Sequence, residues 1–327
     1  AILAQGLSSL GIFHICFCFA IFMAHAASGD AQTSGLFLNM MLQSIPQNVL
    51  PQPALLLAGG LGGPLAIAAL TPLRNACSLA SQDATSSAMR IIRRHVFLGG
   101  LRSGWTGALS PTAAATIQFT VLGSGYHFYL GFLGSPALTA VATGLTESLV
   151  SYGAHARNAQ LAHNQVATKR DRVPVRPIMP IGPGFTAHWL RNCFVIAGIR
   201  DCSDPLACTL QWMSGADAAS TISPGITICG DFLASLLCGG LSMPLNQMFN
   251  FQVTSAACLT STPAKRAALA VRFLKSQYLM KTARGSVRLQ QTMLRDVWLR
   301  SLYVGCLFCC FSSMERLAFH IQPSWIQ

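Results

Sequence analysis

The chain has 327 residues, 52% of them hydrophobic and only 10% charged, where an ordinary soluble domain carries about 25%, and its mean hydropathy is +0.47. That balance excludes an ordinary water-soluble enzyme and fits about six spans of ~20 residues. Lys and Arg outnumber Asp and Glu by 22 to 10 and cluster at 90–95, 169–176 and 265–288, between apolar runs; this suits anionic lipid headgroups, and no nucleic-acid recognition module accompanies it.

Residues 7–27 carry no formal charge over a bilayer-length stretch. They read as an extra membrane helix or as an uncleaved targeting segment, and they lack the arginine-rich pattern of a mitochondrial presequence. Residues 28–53, broken by Pro46, Pro51 and Pro53, form a linker. A long apolar helix is predicted over 54–80, with Gly59-Gly60-Leu61-Gly62-Gly63 near its start and Pro72 late in it. Proline removes one backbone donor, and paired glycines let membrane helices lie close. Residues 86–96 mix Arg90, Arg93, Arg94 and His95 with Met89, Ile91, Ile92 and Val96, the pattern of a short basic interfacial helix.

A glycine-rich turn at 99–107 leads into an uncharged span, 108–132, and then a span at 135–161 containing Glu147. A carboxylate there is either bonded to a neighbouring helix in the bundle interior or part of a functional site. Residues 164–184, with Arg170, Arg172, Arg176 and several prolines, read as a loop, and 188–210 as a shorter, less apolar span. Residues 222–257 repeat the first signature, with Cys238-Gly239-Gly240 ahead of Pro244. A second basic amphipathic segment covers 262–281, and a last span covers 294–319. Two glycine-led, proline-bearing spans indicate an internal repeat, with room for a third copy between them.

The twelve cysteines fall mostly inside apolar runs. Cys306-Leu307-Phe308-Cys309-Cys310 and Cys16-Phe17-Cys18 lack a second pair in polar surroundings, so they read as small packing residues, with no metal site and no disulfide framework.

With these landmarks in this order, the chain resembles the mitochondrial carrier family over roughly residues 52–320. Gly100 to Gly107, ending Trp105-Thr106-Gly107 and running into Leu109-Ser110-Pro111, is similar to the family's turn before an even helix. Gly184-Phe185-Thr186-Ala187-His188-Trp189-Leu190-Arg191-Asn192 is similar to the start of the fourth helix, and the run from Arg300 to Leu317 to the sixth. The resemblance implies an all-α membrane protein, a six-transmembrane-helix bundle with threefold pseudo-symmetry and possibly an extra N-terminal apolar helix. It divides the chain into an N-terminal extension (1–51) and three carrier repeats (52–134, 135–210 with a shortened matrix segment, and 211–327).

The departures bear on function. The family's odd helices carry Pro-x-[Asp/Glu]-x-x-[Lys/Arg], whose charges pair and close one end of the pore. Here the first repeat reads Pro72-Leu73-Arg74 with Cys77, and the third Pro244-Leu245-Asn246 with Phe249; in the second the motif has no clear counterpart. The opposite gate maps to His127 after Tyr126, Asp204 after Ser203, and Glu315 after Met314, with two acids and no base. The family's central substrate contacts map to Ala115, to Arg191 and Asn192, and to Leu302 or Tyr303. Arg191 reads equally as an anion contact or as a snorkelling residue.

The resemblance therefore implies a carrier-like protein of the mitochondrial inner membrane that has lost transport and serves as an accessory subunit of a larger respiratory or ATP synthase assembly. The alternative is a divergent mitochondrial anion transporter. No catalytic residue and no enzymatic activity are expected. Cardiolipin is the lipid the resemblance implies, at Trp105, Thr106 and Gly107, at Gly184 and Phe185, and at Arg284 and Gly285.

Overall fold

The computed structural model describes residues 53–83, 85–215, 222–281 and 286–321. The predicted helix at 7–27 lies outside them. The first rod runs without interruption from Pro53–Leu57 (α1) through a π-helical turn, Ala58–Gly62, into Gly63–Ala80 (α2). The predicted interfacial helix is Ala88–Ile91 (α3) plus a π turn at Ile92–Val96, capped by the Ser87 side chain, which accepts from the Arg90 N–H. A 3-10 turn, Leu101–Trp105, leads to the second rod: Leu109–Thr120 (α4), a π turn at Val121–Gly125, and Tyr126–Leu133 (α5). Pro136–Val166 (α6) is the third. Phe185–Asp201 (α7) and Ser203–Met213 (α8) make the fourth, bent at Cys202. Pro224–Leu241 (α9) and Met243–Thr254 (α10) make the fifth, broken at Ser242. The short Ala256–Leu259 (α11) and the basic Pro263–Tyr278 (α12) follow. The last rod is Gln291–Ile321 (α13).

A small hairpin that the sequence did not suggest, Leu279–Lys281 (β1) against Val287–Leu289 (β2), joins α12 to α13. The expected loop after α6 is present as an extended segment that lies along that helix. Asn164 holds it through both its amide groups, donating to the Val173 carbonyl and accepting from the Val173 N–H.

The rods pack in chain order as a closed ring: α2 on α4, α4 on α6, α6 on α7, α7 on α9, α9 on α13, and α13 back on α2. At one end α2, α6 and α10 also touch across the ring. Glycines set the closest approaches. A Cβ on Gly59 would meet the Thr120 backbone at 2.6 Å, one on Gly63 the Phe119 side chain at 2.6 Å, and one on Gly239 the Ser301 backbone at 3.0 Å. Phe119, fully buried, packs on Phe311 with ring centroids 4.9 Å apart.

The outside of the ring is apolar and the inside polar. Leu57, Leu61 and Leu65 form an exposed stripe at helical spacing on the first rod, and Leu233, Leu237 and Leu241 another on α9. Polar side chains are buried instead, and α6 shows this most plainly. Thr139, Thr143, Glu147, Ser151 and His155 recur every fourth residue and are all buried. A soluble bundle has the reverse arrangement. Among the described residues three helices are long and apolar enough to cross a membrane, Leu55–Ala80, Pro224–Leu241 and Gln291–Ala318. The inward polar stripe of α6 lowers its mean hydropathy although its 31 residues exceed a bilayer-crossing length.

Outside the apolar rods, Asp83 organises the turn after α2. Its Oδ1 accepts from the Thr85 N–H, the Thr85 hydroxyl and the Ser86 N–H. Partial burial alone would raise this carboxyl, but the hydrogen bonds from Ser86 and Thr85 outweigh it and hold the group well below the usual carboxylate range.

Candidate functional site

A cavity lies inside the ring, lined from α2 by Arg74, Cys77 and Ser78, from α6 by Glu147 and His155, from α7 by Arg191 and Asn192, from α10 by Asn246, Phe249 and Asn250, and from α13 by Arg300 and Tyr303. Its free volume is about 50 Å3, room for roughly three to five waters at ~10–15 Å3 each. Three arginines face one glutamate there, and Arg74, Arg191 and Arg300 are each less than 10% exposed.

Arg191 is fully engaged, but by neutral groups. Its Nε donates to Asn192 Oδ1 (3.1 Å), Nη1 to Asn246 Oδ1 (3.0 Å) and Nη2 to His188 Nδ1 (2.7 Å), and its guanidinium lies 5.3 Å from the centre of the Phe249 ring. Arg74 and Arg300 are not so engaged. Arg74 Nη1, Arg300 Nε and Asn246 Nδ2 are buried without a hydrogen-bond partner among the described residues. The Arg300 guanidinium sits 5.6 Å from its own neighbour Tyr303. Buried cations without a counter-ion are costly, so this arrangement asks for an anion.

Side-chain contacts join the rods at both ends of the cavity. At one end Arg200 on α7 forks onto Glu315 on α13, Nη2 to Oε1 at 2.8 Å and Nη1 to Oε2 at 3.3 Å. Its guanidinium also lies 5.7 Å from the Tyr126 ring centre, and the Tyr126 hydroxyl donates to Asp201 Oδ1 at 2.9 Å. Arg316 and Asp231 pair at 2.7 Å, tying α13 to α9. This corrects the expectation that the acids here have no basic partner. Glu315 has one in Arg200, which lies a turn before Asp204 on the bent fourth rod and so escapes an alignment of even-helix ends. Asp204 and His127 are exposed, and Asp201 and Tyr126 make the contacts instead.

At the opposite end amide side chains join the rods, beside Arg295 on α13, which pairs with Asp296 at 2.7 Å and donates to the carbonyls of Ala80, Asp83 and Ser86. Asn75 Nδ2 on α2 donates to the carbonyls of Gly104 (3.0 Å) and Thr106 (3.1 Å). Asn158 Nδ2 on α6 donates to Asn75 Oδ1 (3.2 Å) and to the Thr106 carbonyl (3.1 Å). Asn250 on α10 accepts from the Ser78 hydroxyl (3.5 Å) and donates to the Cys77 carbonyl (3.4 Å). The clasp uses residues three and six positions beyond Pro72 and six beyond Pro244, one step past those the acid–base motif occupies.

No family model matches the chain, and no curated protein matches it.

The cavity thus gathers Arg74, Cys77, Arg191, Asn192, Asn246, Phe249 and Tyr303 from the positions picked out by sequence. Ala115 is buried one turn from Gln118, which lines the cavity in its place. Arg300 was not among the sequence candidates, although it precedes Tyr303 by three residues and so shares its helix face. Pro72 and Pro244 act on the backbone. Pro72 sits inside α2 and leaves the Ala68 carbonyl without its helical donor; the Trp105 indole donates to it at 2.7 Å. Pro244 follows the break at Ser242, whose hydroxyl donates to the Gly239 carbonyl at 3.0 Å.

Of the predicted lipid positions, Trp105 is therefore partly committed to α2, and the Thr106 carbonyl to the clasp. Gly107 and Gly184 both have positive φ, +74° and +87°, just before the starts of α4 and α7. Phe185 packs edge-on against Tyr152 at 5.6 Å. Arg284 and Gly285 lie outside the described residues.

Proposed function

We propose that this chain is a divergent, carrier-like protein of the mitochondrial inner membrane, with a six-helix bundle crossing the bilayer, that binds a small anion in its central cavity and moves it across. One observation carries this reading: among the described residues Arg74, Arg191 and Arg300 are buried around one cavity, with a single glutamate against them and with guanidinium nitrogens of Arg74 and Arg300 left unpaired. Arginine presents a planar fork that suits carboxylate or phosphate oxygens. Alternating access requires contacts on each side of the site that break in turn, and side-chain contacts join the rods at both ends.

The test is thermal unfolding of detergent-purified protein with sulfate, phosphate or succinate, against a neutral solute at equal ionic strength. An anion at 100 times its Kd stabilises by about 2.7 kcal/mol, and uptake of that anion into proteoliposomes should follow. No shift with any of the three overturns the reading.

A second reading is an accessory subunit, without transport, of a larger inner-membrane assembly such as a respiratory complex or ATP synthase. The amide clasp joining Asn75, Asn158 and Asn250 favours it, because amides stand there where a carrier gate has paired acids and bases. A native particle far larger than the chain's own 34.8 kDa after mild extraction, containing subunits of such an assembly, supports this reading. Cardiolipin is proposed as a bound lipid on either reading, with its phosphates at the N-terminal ends of α4 and α7.

A further inference from the structure

We propose that the extended segment after α6 is a polyproline-II strap that docks a protein domain whose groove is lined with aromatic rings and rimmed with acids. The strap lies apart from the central cavity, and none of its residues line it.

Residues 173–183 read Val-Pro-Val-Arg-Pro-Ile-Met-Pro-Ile-Gly-Pro, with a proline at every third position: Pro174, Pro177, Pro180 and Pro183. Each proline fixes its own φ at about −65° and pushes the residue before it out of the α region. Only Val175, Ile178 and Ile181 keep a free choice, and all three are β-branched, which favours extended backbone. Prolines so placed also remove the donors a strand would need. The whole stretch therefore specifies polyproline II, which has three residues per turn and no internal hydrogen bonds.

The structure follows that three-residue period. One row, Val173, Arg176, Met179 and Gly182, is held by the bundle. Val173 is buried, and Asn164 clamps both its N–H and its carbonyl. The Arg176 N–H donates to Gln160 Oε1 at 3.0 Å, and its Nη2 to the Leu259 carbonyl at 3.1 Å. The Met179 backbone crosses Gly153 so closely that a Cβ there would meet the Met179 carbonyl oxygen at 2.5 Å. A Cβ on Gly182 would meet the Tyr152 hydroxyl at 2.6 Å, and that hydroxyl donates to the Pro183 carbonyl at 2.7 Å. The free volume beneath the strap is about 20 Å3, room for one or two waters at ~10–15 Å3 each. The other two rows face outward. Pro174, Pro177 and Pro180 are exposed, and so are Val175 (37%), Ile178 (58%) and Ile181 (58%). The strap is thus fixed in the form a partner would bind, which lowers the ordering cost of docking.

Two features favour a protein over lipid as the occupant. Among the described residues no group donates to the carbonyls from 174 to 181. Exposed irregular backbone with free carbonyls is not tolerated in hydrocarbon, so on the membrane reading proposed above the strap stands in water. A groove that reads polyproline II offers ring faces to the proline row, and its Trp and Tyr side chains bring N–H and O–H donors to the carbonyls. The second feature is charge. Lys169, Arg170 and Arg172 stand exposed just ahead of the first proline. Asp171 is the acid among them, and its Oδ2 accepts from the Thr168 hydroxyl at 2.6 Å. This basic end complements an acidic rim.

The test presents the purified full chain, in phosphatidylcholine nanodiscs, to a panel of polyproline-II-reading domains of the SH3, WW and EVH1 types. A member of the panel is expected to bind, and a soluble peptide of residues 168–184 to compete for it. Pro177→Ala combined with Pro180→Ala should weaken binding about tenfold or more. Leu98→Ser, at an exposed leucine on another loop, should leave it unchanged. Arg170→Glu combined with Arg172→Glu should act mainly by slowing association. No binding by any member, or binding that survives the proline changes, overturns the proposal. Photoreactive benzoylphenylalanine in place of Ile178 tests the bilayer as occupant. Adducts to the bound domain are expected; adducts to phospholipid alone overturn the proposal as well. Where the proline variant does not fold, competition by the peptide decides, and a peptide that fails to displace the domain rejects the strap as its site.

Discussion

Arg74 shows how much a single side chain can decide here. It stands where a carrier has an acid, it is buried, and one of its nitrogens has no partner among the described residues. Two opposite consequences follow from removing it. Without an anion, the buried unpaired charge is a liability, so Arg74→Gln should leave the melting temperature unchanged or raise it. With an anion, a charge-assisted hydrogen bond is lost, typically ~1.5–3 kcal/mol or about 10- to 100-fold in affinity. Melting curves with and without sulfate read both. A large loss of stability in sulfate-free buffer sinks this account and marks Arg74 as a structural residue. Its place in the cavity was legible from sequence as a position, two residues past Pro72. That it would be unpaired was not, because its potential partners come from α10 and α13, which are far away in the chain.

Among the elements, the first rod is the most instructive. Pro72 takes a donor from the Ala68 carbonyl and the Trp105 indole replaces it. Trp105→Phe keeps the ring that packs on Phe97 but orphans that carbonyl, at a cost of about 1–3 kcal/mol. In a Pro72→Ala background the helix regains its own N–H, and the same change should cost much less. A double-mutant cycle without coupling between the two sites rejects the pairing.

The charged end of the ring permits a similar argument. Arg200→Gln or Glu315→Gln alone leaves a partly buried ion behind, and each should cost more than the double change to methionine, since breaking one side of a buried pair costs about 3–5 kcal/mol while replacing both can be neutral. Denaturant midpoints of the three variants would show the order; a double variant as weak as the sum of the singles contradicts it. The polar stripe of α6, from Thr139 to His155 every fourth residue, was readable in the sequence as a buried face.

At the scale of the whole molecule, the ring turns polar side chains inward and leucine stripes outward. That inversion is what lipid, rather than water, selects. On the membrane reading proposed above, the basic segments beside the rods meet headgroups. Cardiolipin should restore the melting temperature of delipidated protein by several degrees more than a zwitterionic lipid at equal concentration. Equal rescue by both lipids excludes a specific headgroup site at the starts of α4 and α7.

What the sequence determined by itself is whatever depends on neighbours along the chain: the apolar rods, the two prolines with their glycines, the basic interfacial helix after the first rod, the loop after α6. These follow from local periodicity and composition, which hold whatever the rest of the fold does. What only the tertiary structure decided is which side chains meet. Arg200 reaches Glu315 across 115 positions, Asn158 reaches Asn75 across 83, and Arg74, Arg191 and Arg300 converge from three different rods. Such pairings carry no short-range signature. They exist because closing six rods into a ring brings one face of each together, and a buried charge must find its partner on another helix or from a ligand.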